Sequence, residues 1–577
     1  MIAPTPPSHS RLLCGPVLRH VGATTATVWV ETDRPAEVEV LGCRATTFTV
    51  CAHHYALVEV TGLQPDTARP YQVQVDSELV WPPPGSAWPQ SWIRTRGADG
   101  PIRVVFGSCR HPEPDDPRLA AKLGVDSMEA YATRMAGRSP QNRPDALLLL
   151  GDQVYADDPT PQARRWLDAR RATDPRRDVP RRDVAVAPRH EVTDFVDYAH
   201  LYQEAWSQEE MRWLLSTVPT AMIFDDHDVR DDWNTSQAWR RRMNAQPWWQ
   251  ERIRGGLASY WVYQHIGNLS PEERRADPTW RAVRAAGGDA WPVLRDMADA
   301  VEADPASVRW SFRWDIEGVR LVMVDTRCGR ILDEGNRSML DEEEFCWVED
   351  AISEPGASHT LVGSSVPWLL PPAISDVQSA NEAACARGSA VAERIRQATD
   401  LEHWSAFRDS FDRLAALLRR VATGPNAPAT ISVLSGDVHH SYAARAWYAG
   451  PAGSPVYQLV CSPAHHRVPW LFKVLLRAGW MRPVAGAVRR MVRRRGVPDP
   501  PLSWERVAGP FYGTALATLV LSERDAELVI ESAHRVEGSG ELLEAVRIEL
   551  APGVGSTPMA GGSRRLIGGL LRRRGTG

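Results

Sequence analysis

The 577-residue sequence predicts a globular α/β protein: a layered α/β/β/α domain preceded by a small antiparallel β-sandwich of the immunoglobulin or fibronectin kind. Three observations predict it. Short segments with period-two alternation fill residues 12–98. From Pro101 the texture changes to continuous apolar runs separated by helical stretches, the pattern of strands buried on both faces. With 43% hydrophobic and 24% charged residues there is ample material for a core. That balance excludes a disordered chain and a collagen-like rod. No apolar run approaches the roughly 18 residues a spanning helix needs, which excludes an integral membrane protein.

The N-terminal strands read GPVLRHVGATTATVWVET, AEVEVLG, TTFTV, YALVEVTGL, PYQVQVD and ELVWP, giving a first domain over 1–98. A second domain over 101–550 contains apolar runs at 103–106, 146–150, 221–224, 320–324, 360–362, 431–434 and 456–460. The first six are followed directly by Gly, Asp or Ser, and the last by Cys461 and then Ser462. ALATLVLSERDAELVIES then reads as a closing hairpin. Residues 158–190 are rich in Pro, Arg and Asp and predict a long surface loop, and the Gly-rich, basic stretch 551–577 predicts a mobile tail. There is no internal repeat.

The formal net charge of -5 advertises no global field, so no nucleic-acid partner is expected. The cations are lopsided: Lys122 and Lys473 are the only lysines among 67 basic residues, which reads as compositional bias toward Arg. Eight cysteines without a CxxC pair argue against a disulfide scaffold or a zinc ribbon and suit a reducing compartment. The N-terminal stretch lacks a basic start followed by an apolar region, so a cytoplasmic location is expected.

The strand ends carry the chemistry. RVVFGSC places Cys109 just past one strand; ALLLLGDQVYAD places Asp152, Tyr155 and Asp157 past the next; AMIFDDHDVRDDWN places Asp225, Asp226, His227 and Asp228 past a third; ISVLSGDVHHSY places Asp437, His439 and His440 past another. In α/β sheets ligands bind beyond the carboxyl ends of the strands, so these clusters can converge although they are far apart in sequence. Each alone has an ordinary explanation: a Gly-Asp turn, a solvated acidic loop, a small buried thiol. Recurrence at four strand ends is not a packing requirement. Convergent Asp, His, Cys and Tyr are what a metal centre needs. Thiolate and phenolate donors favour a trivalent or redox-capable ion, and carboxylates suit calcium, magnesium or manganese.

These stretches, FGSC at 106–109, LGDQVYADD at 150–158, FDDHDVRDDW at 224–233, VMVDTR at 322–327 and LSGDVHHS at 434–441, resemble the metallophosphoesterases, most closely the alkaline phosphatase D (PhoD-like) family. GPVLR, ATVWVET and PWLLP extend the resemblance over nearly the whole chain. It implies a ferric ion combined with divalent ions such as Ca2+, with Mn2+ or Mg2+ as substitutes. It further implies Cys109 and Tyr155 as ligands of the ferric ion, Asp152 as the bridging carboxylate, Asp226, Asp437 and His439 as further ligands, His227 as the catalytic histidine and Arg327 as an arginine near the substrate phosphate. His440 has a weaker claim. The implied reaction is hydrolysis of a phosphomonoester or phosphodiester by metal-activated water, without a covalent intermediate. This chain departs from the family where Asp231 and Asp232 replace an Asn pair, and where Cys328 and Gly329 follow Arg327.

Residues 466–497 carry nine basic residues and no acidic one, interleaved with Trp470, Leu471, Val474, Leu475 and Trp480. Such a segment either packs as an accessory helix or contacts an anionic membrane surface. Two alternatives therefore stand beside a soluble phosphoesterase acting on a small phosphate ester. One is a phospholipase-like enzyme of lipid phosphodiesters at the membrane periphery. The other is a non-catalytic metal-binding scaffold docked to membrane or a partner.

Overall fold

The computed structural model describes residues 10–97, 100–173, 188–450, 453–466 and 470–551. It is a mixed α/β fold. Antiparallel strands occupy the N-terminal region in two four-stranded sheets, one in the order Leu12–Val21, Ala26–Thr32, His53–Val60, Phe48–Val50, the other in the order Cys43–Thr46, Glu37–Val40, Val73–Val75, Glu78–Trp81. Their alternate side chains, among them Val28, Val30 and Val58 from one sheet and Val38, Val40 and Val73 from the other, meet in one buried cluster. That is the physical outcome of the period-two pattern.

Two larger sheets follow. A six-stranded sheet runs Thr220–Ile223, Ala146–Leu150, Ile102–Gly107, Ala515–Ser522, Asp525–Val536, Ser539–Ala551, with the first three strands parallel and the rest antiparallel. A seven-stranded sheet runs Phe312–Ile316, Val319–Val324, His359–Ser364, Thr430–Ser435, Val456–Val460, Ser441–Tyr448, Leu502–Phe511. All seven apolar runs in the sequence fall on strands of these sheets. Continuous burial along Val319–Val324 has a two-faced cause: Leu321 and Met323 join the cluster that contains Leu147 and Leu149 of the six-stranded sheet, whereas Val322 and Val324 join a second cluster with Phe345, Val348, Leu414 and Leu418. The last four belong to the helices Glu342–Ser353 and Arg408–Thr423.

Three expectations change. Within 158–190 a helix spans Pro161–Thr173, because Ala163 and Leu167, four residues apart, bury one face while Arg170 pairs with Asp194 and Asp197. Residues 174–187 lie outside the described residues. The closing hairpin gains a third strand, Ser539–Ala551, whose charged residues hide its alternation. The basic segment forms two helices, Trp470–Gly479 and Arg482–Arg494; Val488, Val492 and Val497 pack with Ala380 and Ala383 of the helix Pro372–Ala386. Residues 467–469 and the tail 552–577 lie outside the described residues. Among those described, no helix is long and apolar enough to cross a membrane.

Candidate metal centre

Parallel strands deliver the site. Cys109, Asp152 and Asp225 each lie two residues beyond a strand of the six-stranded sheet, and Asp437 lies two beyond Thr430–Ser435 of the other. Two glycines let these turns touch. A Cβ on Gly151 would lie 2.6 Å from Asp225 Cβ, and one on Gly436 would lie 2.1 Å from Ser108 Oγ. The turns are also conformationally unusual: Cys109, Asp152, Asp437 and His439 have φ of 56°, 53°, 63° and 49°, in the left-handed region that L-residues seldom occupy.

Three donor groups result, each with ligand atoms within 4.8 Å of one another: Cys109, Asp152 and His439; Asp152, Asp225 and Asp226; Asp226, Glu402 and Asp437. Asp152 and Asp226 are shared, so the groups form one chain of donors. Tyr155 Oη lies 3.5 Å from Asp152 Oδ2, and its ring sits 4.9 Å from that of His227 and 5.4 Å from that of His466, which in turn stacks on His439 at 4.5 Å. The structure thus brings together Cys109, Asp152, Tyr155, Asp226, His227, Asp437 and His439. His440 turns away, its Nδ1 2.7 Å from the Val438 carbonyl oxygen and its ring against Tyr442.

The cluster is short of positive charge. Asp152 Oδ1 and Asp225 Oδ2 are buried without a hydrogen-bond donor, and Asp226 Oδ1 has only an ion-pair contact with Arg327, without hydrogen-bond geometry. Burial, with Asp226 and Asp437 nearby, pushes Asp152 up to about 7 against the pull of His227. Burial and the Asp152 and Asp437 carboxylates drive the Cys109 thiol well above its usual range. Anionic donors packed this closely, with free lone pairs, fit cations. The donor chemistry is graded, from sulfur, phenol and imidazole at the Cys109 end to carboxylates at the Asp437 end.

His227 stands at the open side, with its side chain 25% exposed. Its Nδ1 is 3.0 Å from Asp157 Oδ1, and Asp157 Oδ2 also accepts from Asp231 N at 2.7 Å. Burial would lower the imidazole pKa, but Asp157, followed by Asp226 and Asp152, holds it well above the ordinary value. Arg327 is the opposite case: it is wholly buried, with Nε 2.5 Å from Asp225 Oδ1, Nη2 3.2 Å from Asp226 Oδ1 and 2.8 Å from Glu402 Oε1, and Nη1 on Glu402 Oε2. Its nitrogens face internal carboxylates from behind, where the sequence expectation had them near a substrate phosphate. The strand ends offered Asp225 and Asp157, to which the family resemblance assigned no role, whereas Glu402 and His403 lie outside every strand-end motif. The first two lie inside the quoted motifs. Glu402 and His403 follow no strand, only a helix and a bend, and carried no sequence signal.

Thiol, phenol, imidazole and carboxylate donors gathered at the carboxyl ends of parallel strands mark a candidate metal centre, and the family match makes it that of a metal-dependent phosphoesterase. The model of the PhoD-like phosphatases matches residues 108–471, and the chain belongs to that family. A domain of unknown function (DUF7800) matches residues 9–93. The solved structure of PhoD is similar in fold, with TM-score 0.57 and 12% identity over 95% of this chain and 92% of that chain. A purple acid phosphatase, PPD1, isolated from yellow lupin (Lupinus luteus) seeds, aligns with TM-score 0.47 and 9% identity over 93% of this chain and 74% of that chain. No curated protein matches the chain.

Proposed function

We propose that the protein hydrolyses phosphate esters, mono- or diesters, at a mixed-metal centre. The observation that carries this reading is the continuous chain of donor groups through Asp152 and Asp226, with buried carboxylate oxygens that no protein donor satisfies. Cys109, Tyr155, Asp152 and His439 would hold the ferric ion, and Asp152, Asp226 and Asp437 a divalent ion, Ca2+ by the carboxylate donors, with Mn2+ or Mg2+ as substitutes. Bound there, such ions supply Lewis acidity at phosphorus and a water nucleophile near neutral pH.

The chain's own groups supply the rest. Asp157 fixes the imidazole of His227 through Nδ1–H and leaves Nε2–H, 3.8 Å from Asp231 Oδ1, available to a substrate. His227 then donates that proton to the departing alkoxide. In place of the phosphate clamp, we assign Arg327 to holding Asp225, Asp226 and Glu402 in register, a positioning role that its burial supports. We read residues 1–98 as a sandwich domain, 101–550 as the layered catalytic domain and 551–577 as an appended tail. The eight unpaired thiols support a reducing, cytoplasmic setting. The test is elemental analysis of the full-length protein together with turnover of an aryl phosphate and its diaryl diester. Iron plus a divalent metal and measurable turnover are expected, with Asp152→Asn and His439→Ala at least 100-fold slower; full activity in either variant would sink the site assignment.

A second reading, action on lipid phosphodiesters at a membrane surface, is favoured by one patch. Val474, Leu475 and Met481 are 53, 56 and 54% exposed, and Arg477, Arg490 and Arg494 of the helices Trp470–Gly479 and Arg482–Arg494 are exposed as well. Exposed apolar side chains on arginine-rich helices suit an anionic bilayer. Sedimentation with phosphatidylserine-containing vesicles checks it: wild type should pellet, and Val474→Ser/Leu475→Ser should remain in solution. Equal partition of the two removes this reading.

A further inference from the structure

We infer that His403 is a nitrogen ligand at the carboxylate end of the metal centre, beside Asp437. The inference rests on reading the cluster as a metal centre and names a donor that neither the strand-end motifs nor the three donor groups contain.

His403 immediately precedes the single helical turn Trp404–Ala406 and is buried. Its Nε2 lies 2.8 Å from Asp437 Oδ2, yet the contact lacks hydrogen-bond geometry, and Nε2 has no hydrogen-bond partner. The other ring nitrogen, Nδ1, is 2.9 Å from the Gln378 amide nitrogen, while Gln378 Oε1 is buried and unpartnered. Amide oxygen and nitrogen are interchangeable by a half-turn of the side chain. With Oε1 toward the ring, Nδ1–H donates to Gln378. Nε2 is then left without a proton, its lone pair set off the line to a carboxylate oxygen only 2.8 Å away.

A bare lone pair and a carboxylate oxygen at that distance repel one another unless a cation joins them. Neighbouring donors on one ion, each about 2.1 Å from it, lie about 3 Å apart. A second hydrogen bond from the remote ring nitrogen is the usual support of a metal-bound imidazole, and Gln378 provides it. Asp437 already belongs to the group with Asp226 and Glu402. A neutral nitrogen at an otherwise all-oxygen end shifts its preference from Ca2+ toward Mn2+.

The test uses the full-length chain carrying 15N-labelled histidine, stripped and reloaded with Mn2+, and pulsed EPR to detect imidazole nitrogen bound directly to manganese. In His439→Ala, which removes the other imidazole ligand, a coupling is expected, and adding His403→Gln should remove it and lower Mn2+ affinity at least tenfold, with an unchanged circular dichroism spectrum showing that the double variant is folded. Gln378→Ala, which leaves the imidazole in place, should keep the coupling. A His439→Ala protein that binds Mn2+ without such a coupling, or a coupling that persists in the double variant, overturns the inference. Failure of the wild type to take up any metal sinks the parent reading instead.

Discussion

Glu344 shows how much a single buried carboxyl can do to the pH response of this chain. Its Oε1 accepts from the backbone N–H groups of Trp310 and Ser311 at 3.1 and 2.5 Å, whereas its Oε2 and Asp341 Oδ2 have no donor. Burial, and then the nearby Asp325, push its pKa up to about 8, against the hydrogen bonds from Ser311. A carboxyl raised on folding contributes stability below its unfolded value near 4.5 that is lost as pH rises through 8. We therefore expect wild type to lose a few kcal/mol between pH 5 and 9 from this residue, at about 1.4 kcal/mol per unit. Glu344→Gln should flatten that slope and be the more stable form at pH 9. Urea midpoints of both proteins at pH 5, 7 and 9 check it, and parallel pH profiles would refute it. Sequence could not have pointed here, because EEEF gives no hint which glutamate turns inward. The same blindness applied to Glu402 and His403, whose placement depends on packing between distant segments. Cys109, Asp152, Asp226 and Asp437 were legible because a strand end fixes where the next residues go.

At the scale of elements, the tight turns after the strands combine two unfavourable features, left-handed backbone and crowded carboxylates. Asp152 has both: φ of 53° and a pKa pushed up to about 7 by burial, so that at pH 8 it is ionised at a cost to the metal-free fold. Asn keeps the shape, tolerates the left-handed region and removes the charge. Asp152→Asn should accordingly raise the stability of protein held in EDTA at pH 8 by about 1–3 kcal/mol, while abolishing turnover. Denaturant midpoints in EDTA decide this; a less stable variant would mean that the ionised carboxylate is satisfied in the metal-free protein. Elements themselves were well marked in the sequence where apolar runs were continuous. The helix Pro161–Thr173 was not, since only Ala163 and Leu167 of its residues are fully buried and its arginines mask the period. The strand Ser539–Ala551 escaped for a related reason, being half solvated along most of its length.

Across the whole molecule, the N-terminal sheets are bound into the larger region by polar contacts made inside an apolar seam. Trp29 Nε1 donates to the Val262 carbonyl at 3.0 Å, Arg19 Nη2 donates to the Gln264 carbonyl at 2.5 Å and to Asn268 Oδ1 at 2.7 Å, and the hydroxyls of Tyr55 and Tyr263 meet at 3.0 Å. The fit is close enough that a Cβ on Gly267 would lie 2.2 Å from Arg19 Nε. Trp29, Tyr55 and Val17 belong to the same buried cluster as Leu147 and Leu149 of the six-stranded sheet. Two independent folding units would not share a core or leave a charged arginine sealed between them. Heating should therefore unfold residues 10–551 in one calorimetric transition. Trp29→Ala, which removes the largest side chain of the seam, should lower that single transition by about 3–5 kcal/mol and leave it undivided. Scanning calorimetry of wild type and variant reads both the position and the number of transitions. A second, early-melting peak in the wild type would show that the N-terminal sheets unfold independently and would overturn the shared-core expectation, and a Trp29→Ala variant that splits into two peaks would show that this indole alone couples them.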